Sequence, residues 1–312
     1  MKQIVKNNKD WEAYVLEALG DSEYREELSK SGIGVTVRGD KDFPKVFDDY
    51  EKMPKFLFYK GKLPDCRKPI VSIVGARSCS NYGRATAKEF ARDLSRSGVQ
   101  VISGLATGID SFAAIGALEG STPTFAVLGC GVDMCYPAEN LALSEEIVRK
   151  GGGIISEYPP GVEPERWHFP ARNRIISALS DSLIVVEARK KSGSFITVEW
   201  ALEQGKDVYA VPGRIKDKMS EGCNNLIKSG ANIITSVADV VDDIMVEACD
   251  NQAISVRKEL ARLYMCIDDS PKTVDELMKL SGISLDELLG QIMQLQMLGL
   301  VREVTTGYYV LN

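Results

Sequence analysis

Four stretches offer glycine, hydroxyl or basic side chains, in different mixtures, that suit an anion. They are GARSCSNYG (75 to 83), SGLATGID (103 to 110), EARKKSGS (187 to 194) and FPARNR (169 to 174). The first three each follow an apolar run and lead into a helical pattern, where backbone N–H groups and a helix N-terminus can hold phosphate. GARSCSNYG is not G-x-G-x-x-G: Arg77 stands where the second glycine would admit a pyrophosphate. That argues against NAD or FAD, and no cofactor is expected. Arg77 beside the free N–H groups of the next helix suits phosphate, or it pairs with a carboxylate. Asp110 is read as a cap or brace for its loop rather than a catalytic acid. Arg189, Lys190 and Lys191 would ordinarily be a solvated loop, but here they stand at the ligand edge of a strand.

FPARNRIISALSD (169 to 181) follows the only histidine, His168. Its charges fit an ion-pair anchor, an anion pocket or a surface that holds a polyanion. At about 100° per residue, Ile175, Ile176 and Leu179 share a face with Arg172 one turn earlier. Arg172 is therefore expected to look into the sheet crevice and Arg174 toward solvent or another chain, with Asn173 between them. A pairing of Arg172 with Glu157 or Glu187 is compatible with either role. His168 has no serine or cysteine partner by spacing and is read as a packed, hydrogen-bonded ring. Its neighbours Trp167 and Phe169 either stack on bases or pack in the core.

The scaffold for these groups is a repeated unit of apolar run, glycine turn and amphipathic helix. The runs are IVSIVG (70 to 75), VQVISG (99 to 104), TFAVLG (124 to 129), GIISEY (153 to 158), SLIVVEA (182 to 188) and DVYAVPG (207 to 213), with NIIT (232 to 235) as a last candidate. Runs apolar throughout, alternating with helices such as GRATAKEFARDLSRSG and TVEWALEQG, imply a parallel sheet covered on both faces. The spacing predicts a doubly wound α/β domain over residues 35 to 247. VTVRG and KFLFYKG lead into it as short strands, and residues 1 to 34 form a short helical segment marked by Trp11, Tyr14, Val15, Leu16, Leu19 and Leu28.

A linker at 248 to 256 leads to a different pattern over 256 to 312. Leu260, Leu263, Tyr264 and Ile267 mark one helix, and Val274, Leu277 and Leu280 a second. Leu285, Leu288, Leu289, Ile292, Leu295 and Leu298 mark a third. With LVREVTTGYYVL as a hairpin, this predicts a winged helix. Residues 251 to 312 hold six basic and eight acidic residues, and the third helix, SLDELLGQIMQLQM, has no Lys or Arg. A recognition helix in a major groove uses positive and amide side chains, so this module is read as regulatory or protein-binding.

The totals narrow the classes. With 312 residues and a formal net charge of -6, the chain does not coat nucleic acid by bulk charge; a polyanion site must be a local concentration of Arg and Lys. Seven cysteines without a C-x-x-C pair, and one histidine, exclude a Cys/His zinc set and suggest reduced thiols in a cytoplasm. MKQIVKNNKDW lacks an apolar leader core, and no apolar run approaches the roughly 20 residues of a membrane span, so no membrane association is expected.

VGARSCSNYG, SGLATGID, GCGVDMCYPAEN, SEYPPG, HFPARNRIISALSD, VVEARKKSGSFITVEWALEQGKDVYAVPG and EGCNNLIKSGA, in this order, resemble the DNA-processing protein A (DprA/Smf) family over about residues 35 to 240. The resemblance implies an extended Rossmann-like fold and a homodimer that binds and protects single-stranded DNA. It further implies that the protein helps load RecA recombinase in natural transformation, without catalysis. Arg77 and Arg166 match positions that contact the DNA backbone. Gly75, Ser80, Gly83, Gly104, Arg172, Asn173, Lys191, Gly193 and Ser194 complete the implied DNA-binding set. Ala138 replaces a lysine common after Tyr-Pro, which should weaken one phosphate contact, and Ala113-Ala114 replaces an Ala-His step.

Two other classes compete. A nucleotide-processing enzyme that cleaves an N-glycosidic bond would use Gly193, Thr197 and Glu199 with Arg172 as phosphate clamp, but KKSGSFITVE lacks the doubled glycine of that pattern. A purely regulatory adaptor would act through the C-terminal module.

Overall fold

The computed structural model describes residues 11–241, 243–244, 260, 263, 266–267, 270–297, 301–305 and 307–311. The chain divides into a compact unit over residues 1–244 and a second over 245–312. The predicted linker, Tyr264, Leu298 and most of the helix around Leu260 and Leu263 lie outside the described residues.

The larger unit is built on strands β1 (Gly34–Val37), β2 (Phe56–Gly61), β3 (Ile70–Val74), β4 (Gln100–Ser103), β5 (Thr124–Val127), β6 (Gly153–Ser156), β7 (Ser182–Val185), β8 (Asp207–Ala210) and β9 (Asn232–Ile233). They form one sheet in the order β1-β2-β6-β5-β4-β3-β7-β8-β9. β1 and β2 pair antiparallel and β2 runs antiparallel to β6, while every pairing from β6 to β9 is parallel. The strands are shorter than the apolar runs because each run ends by stepping into its turn. The β3–β7 ladder still continues, with Val186 N–H donating to Val74 and Ala76 N–H to Glu187.

Alternation along each parallel strand fills both faces. Ile70 and Val74 of β3 join a cluster with Leu183 and Val185 of β7, under helices α6 (His168–Ala178) and α7 (Ser194–Glu203). Val71 and Ile73 face the opposite cluster, under α3 (Asn81–Arg96) and α4 (Ile109–Ala117). Helices α1 (Trp11–Leu19) and α2 (Ser22–Lys30) bury Val15, Leu19 and Leu28 against Phe56, Phe58 and Ile154, beside α5 (Leu141–Arg149). α8 (Glu221–Lys228) follows β8 and sends Cys223 into the first cluster.

The smaller unit holds α9 (Val274–Ser281) and α10 (Leu285–Met297), and an antiparallel sheet of β10 (Lys272–Thr273), β12 (Tyr308–Leu311) and β11 (Val301–Thr305). Thr273 opens α9 with a reciprocal capping box to Glu276, and Gly282 closes it in the left-handed region at φ 66°. Leu277, Leu288, Ile292 and Leu295 are buried together with Leu260, Leu263 and Ile267. Leu280, Leu285 and Leu289, expected in this core, are exposed instead. On α10, Leu285 and Leu289 fall outside the arc shared by Leu288, Ile292 and Leu295.

Candidate functional site

The strand order reverses between β3 and β7. The first strand of the parallel set lies at the centre, and the chain winds outward from it on both sides. In such sheets the crevice beyond the carboxyl ends at this reversal is where ligands bind. Here it is a cavity of about 720 Å³, walled by the loops after β3, β4, β7 and β8 and by the first turns of α6 and α7. A neighbouring hollow of about 410 Å³ shares Arg77, Ala106, Tyr136, Phe169 and Arg172 with it.

Among the described residues, the larger cavity is lined by five basic side chains, Arg77, Arg166, Arg172, Arg189 and Lys191, and by one carboxylate, Asp110. An acidic chain thus concentrates positive charge at one edge of its sheet. The basic groups fall into two kinds, committed and uncommitted.

Arg172 is committed. It is only 4% exposed, as the helical phase predicted, and its guanidinium donates to the carbonyls of Gly104 (2.7 Å) and Val127 and to Oδ1 of Asn173 (3.2 Å). It pairs with neither Glu157 nor Glu187; the nearby counter-charge is Asp110. Asp110 Oδ2 accepts the N–H groups of Gly104 (3.1 Å) and Ala106 (3.4 Å), so it braces its loop. Burial brings the Arg172 guanidinium down to about 10, against the pull of Asp110, and burial also raises the Asp110 carboxyl. Arg172 remains a cation at neutral pH, fixed beneath the cavity floor.

Arg77 and Arg166 are uncommitted. Both are exposed, and among the described residues neither has a carboxylate within salt-bridge distance. Arg77 lies 5.4 Å above the ring of Phe169, which Arg172 approaches at 5.9 Å. Phe169 also meets Tyr136, with ring centroids 5.4 Å apart. Two cations and two aromatic rings therefore meet where the two hollows join.

Arg174 contradicts its expected outward role. Its guanidinium forms a two-pronged pair with Glu157 (2.8 and 2.6 Å) and donates to the carbonyls of Lys52 and Ala171. Both side chains are largely buried, at 11% and 4% exposure. The angle around α6 was right, but the loop after β6 folds over that side of the helix and supplies the carboxylate. Arg174 is the ion-pair anchor of the segment, and Arg172 is the cation of the crevice.

The N-terminus of α3 is also unlike its expected form. Ser80 caps it by accepting the N–H of Gly83, and Glu187 then accepts both the N–H (2.8 Å) and the hydroxyl (2.5 Å) of Ser80. A Cβ on Gly83 would come within 2.3 Å of Glu187 Oε2. A carboxylate already occupies the place an anion would take, so Ser80 and Gly83 hold the wall and do not line the cavity. The start of α7 is different: Gly193 provides no side-chain cap, and Gly193, Ser194 and Thr197 all line the cavity. Gly75, Asn173 and Lys191 line it too, and Gly104 lines the smaller hollow. Gly108, at φ 81°, lets the α4 loop pass where a Cβ would strike the carbonyls of Ala76 and Arg77.

His168 is the packed ring expected of it. It is buried, stacked on Tyr158 with centroids 3.9 Å apart, and its Nδ1 lies 2.9 Å from the Gly129 carbonyl. The Glu165 N–H reaches the same nitrogen at 3.3 Å, and burial holds the ring below its ordinary pKa. Trp167 donates to Glu165 and lies outside the cavity, so only Phe169 of the pair reaches it. Glu199 is exposed and does not line the cavity, although Thr197 does. The proposed enzyme pair is therefore not assembled. Arg189 stands at the ligand edge as expected, whereas Tyr136 and Met219 were not singled out; each lies several residues into the loop beyond its strand, β5 or β8, and no local pattern marks it.

Residues 34–245 match the family model for DNA recombination-mediator protein A. Over 200 residues the chain is 43% identical to the DNA processing protein DprA of Streptococcus pneumoniae, covering 64% of this chain and 69% of that protein. It is 35% identical over 266 residues to the protein Smf of Escherichia coli, covering 82% and 71%. The X-ray structure of the S. pneumoniae protein superposes with a TM-score of 0.65 at 37% identity, covering 76% of this chain and 83% of that one. DNA processing protein A from Helicobacter pylori, whose structure was described for its single-stranded DNA binding mode, gives 0.62 at 29% identity, covering 69% and 96%.

Proposed function

The chain belongs to the DNA recombination-mediator protein A family, and we propose on that footing that it binds single-stranded DNA without catalysis, at the carboxyl edge of its sheet. The observation that carries the reading is the set of five cations around one cavity, of which Arg77 and Arg166 stand exposed without a carboxylate partner among the described residues. Backbone phosphates sit on Arg77, Arg166 and Lys191 and at the start of α7, while Arg172 adds charge from below. Phe169 and Tyr136 offer ring faces to bases, which every base can use, so sequence preference is weak. Gly75, Gly104, Asn173, Gly193 and Ser194 shape the groove.

Delivery of the bound strand to a RecA-type recombinase, a homodimeric state and a cytoplasmic site of action complete the proposal, as the family resemblance implies. Among the described residues no helix is long and apolar enough to cross a membrane. The deciding measurement is a titration of labelled oligo-dT against wild type and Arg77→Ala at two salt concentrations. Binding by wild type that weakens with salt, and a weaker Arg77→Ala variant, are the expected results. Equal binding by both proteins, or binding by neither, would remove the site.

A further inference from the structure

The loop between β8 and α8 carries a feature that the cavity does not use. Residues Arg214 to Lys218 are five exposed positions in a row, read as RIKDK. Arg214, Lys216 and Lys218 make no ion pair among the described residues, and Ile215 between two of them is 94% exposed. Isolated exposed apolar residues are common, so Ile215 alone would mean little.

This loop, however, is held at both ends. Gly213 exchanges two hydrogen bonds with the side-chain amide of Asn224 (3.1 Å each). Gly213 also approaches Ser220 so closely that a Cβ would fall 2.0 Å from its hydroxyl. Met219 N–H donates to Asp217 Oδ1 (2.9 Å), which fastens the one acidic side chain of the tip to its own backbone. The loop base is thereby fixed, and the tip presents three cations and an isoleucine outward.

It is also continuous with the crevice. The Met219 carbonyl accepts the N–H of Ala188 (3.0 Å), its sulfur accepts from Arg189 Nε (3.2 Å), and Met219 itself lines the cavity. Arg189, a cavity-lining residue in the loop after β7, thus joins the cavity wall to the RIKDK loop through Met219. We infer that this loop is an outer segment of the single-strand track: it takes the phosphates of nucleotides leaving the cavity past Met219, with Ile215 against a sugar or base face. This rests on the proposed DNA reading and extends its footprint.

The experiment uses the full chain, with Arg214, Lys216 and Lys218 all changed to Ala, and two oligo-dT probes of about 5 and about 20 nucleotides. Three lost phosphate contacts should lower the salt slope of log affinity by about 2 on the long probe and leave the short probe unchanged. Ile215→Ala should weaken only the long probe, by a smaller factor. If the triple variant binds the long probe with the wild-type slope, or weakens both probes equally, the outer track is wrong. Arg77→Ala separates this from the groove reading, because it should weaken both probes. Should wild type bind neither probe, both readings fall; should Arg77→Ala weaken both while the triple variant matches wild type, only the outer track falls. The substitutions are at exposed loop positions, and unchanged thermal unfolding confirms the fold.

Discussion

The carboxyl edge of the sheet and the outer face of α10 are both surfaces the fold leaves open, and their chemistry is opposite. The edge gathers Arg77, Arg166, Arg189 and Lys191 above a buried Arg172. α10 exposes Leu285, Leu289, Met293 and Met297 at four-residue steps, beside Asp286 and Glu287, with no Lys or Arg along its length. A chain of net charge -6 therefore sets five cations around one cavity where loops leave strands and none on the helix that a DNA-binding module of this helix-helix-hairpin order would offer to a groove. Net charge is an average that hides this placement, and placement decides which surface meets a polyanion.

The contrast is sharpest in the walls. Glu157→Gln would leave the Arg174 guanidinium buried without its counter-charge, with an expected loss of about 3–5 kcal/mol, measured by denaturant midpoint. Glu287→Gln on α10 should stay within about 0.5 kcal/mol. Similar losses from both would break the comparison. Next in size is binding: Arg77→Ala removes a charge-assisted contact, at about 1.5–3 kcal/mol, or roughly tenfold to a hundredfold in oligo-dT affinity. Leu289→Glu with Met293→Glu should change that affinity by less than about twofold, since α10 is not expected to touch the strand. A large loss from the α10 variant would move DNA binding into the C-terminal unit.

A smaller effect separates the two units by pH. His168 is the only histidine, and burial lowers its pKa in the folded state. The unfolded chain, titrating near about 6.5, then binds more protons than the native one. This contribution to stability is present above about pH 6.5 and is lost as pH falls, by at most about 1.4 kcal/mol per pH unit. Unfolding of the sheet unit followed between about pH 6.5 and 5.5 should show that slope, His168→Asn should flatten it, and the C-terminal unit, without histidine, should show none. Smallest of all, Met293→Lys should alter stability by no more than about 0.5 kcal/mol; a larger loss would mean that the exposed α10 face is covered in the whole protein.

Much of the fold could be read from the chain because its signals are local. Each apolar run became a strand, each glycine turn fell at a carboxyl end, and Arg172 faced the crevice as its phase on α6 required. The α10 stripe was misread because repeated apolar positions in one helix do not reveal which arc is inward. Leu285 and Leu289 match Leu288 in type, and only packing against α9 and the strands separates them. The pairing of Arg174 with Glu157 was missed for a related reason: the phase around the helix was right, but the connection from β6 turns Glu157 back onto α6, and the Lys52 carbonyl, 122 positions away, meets the same guanidinium.

The sequence by itself determined the parallel sheet, the loops at its carboxyl edge and the basic residues those loops carry, because periodicity and turn chemistry act over a few residues. Tertiary structure alone decided which of those charges stay free. Glu187 reaches Ser80 across 107 positions and closes the α3 N-terminus, and Glu157 neutralises Arg174. Arg172 is spent on the Gly104 carbonyl 68 positions away, whereas Arg77 meets no such partner among the described residues. Electrostatic energy depends on distance in space and on burial, neither of which is written in the order of residues along the chain.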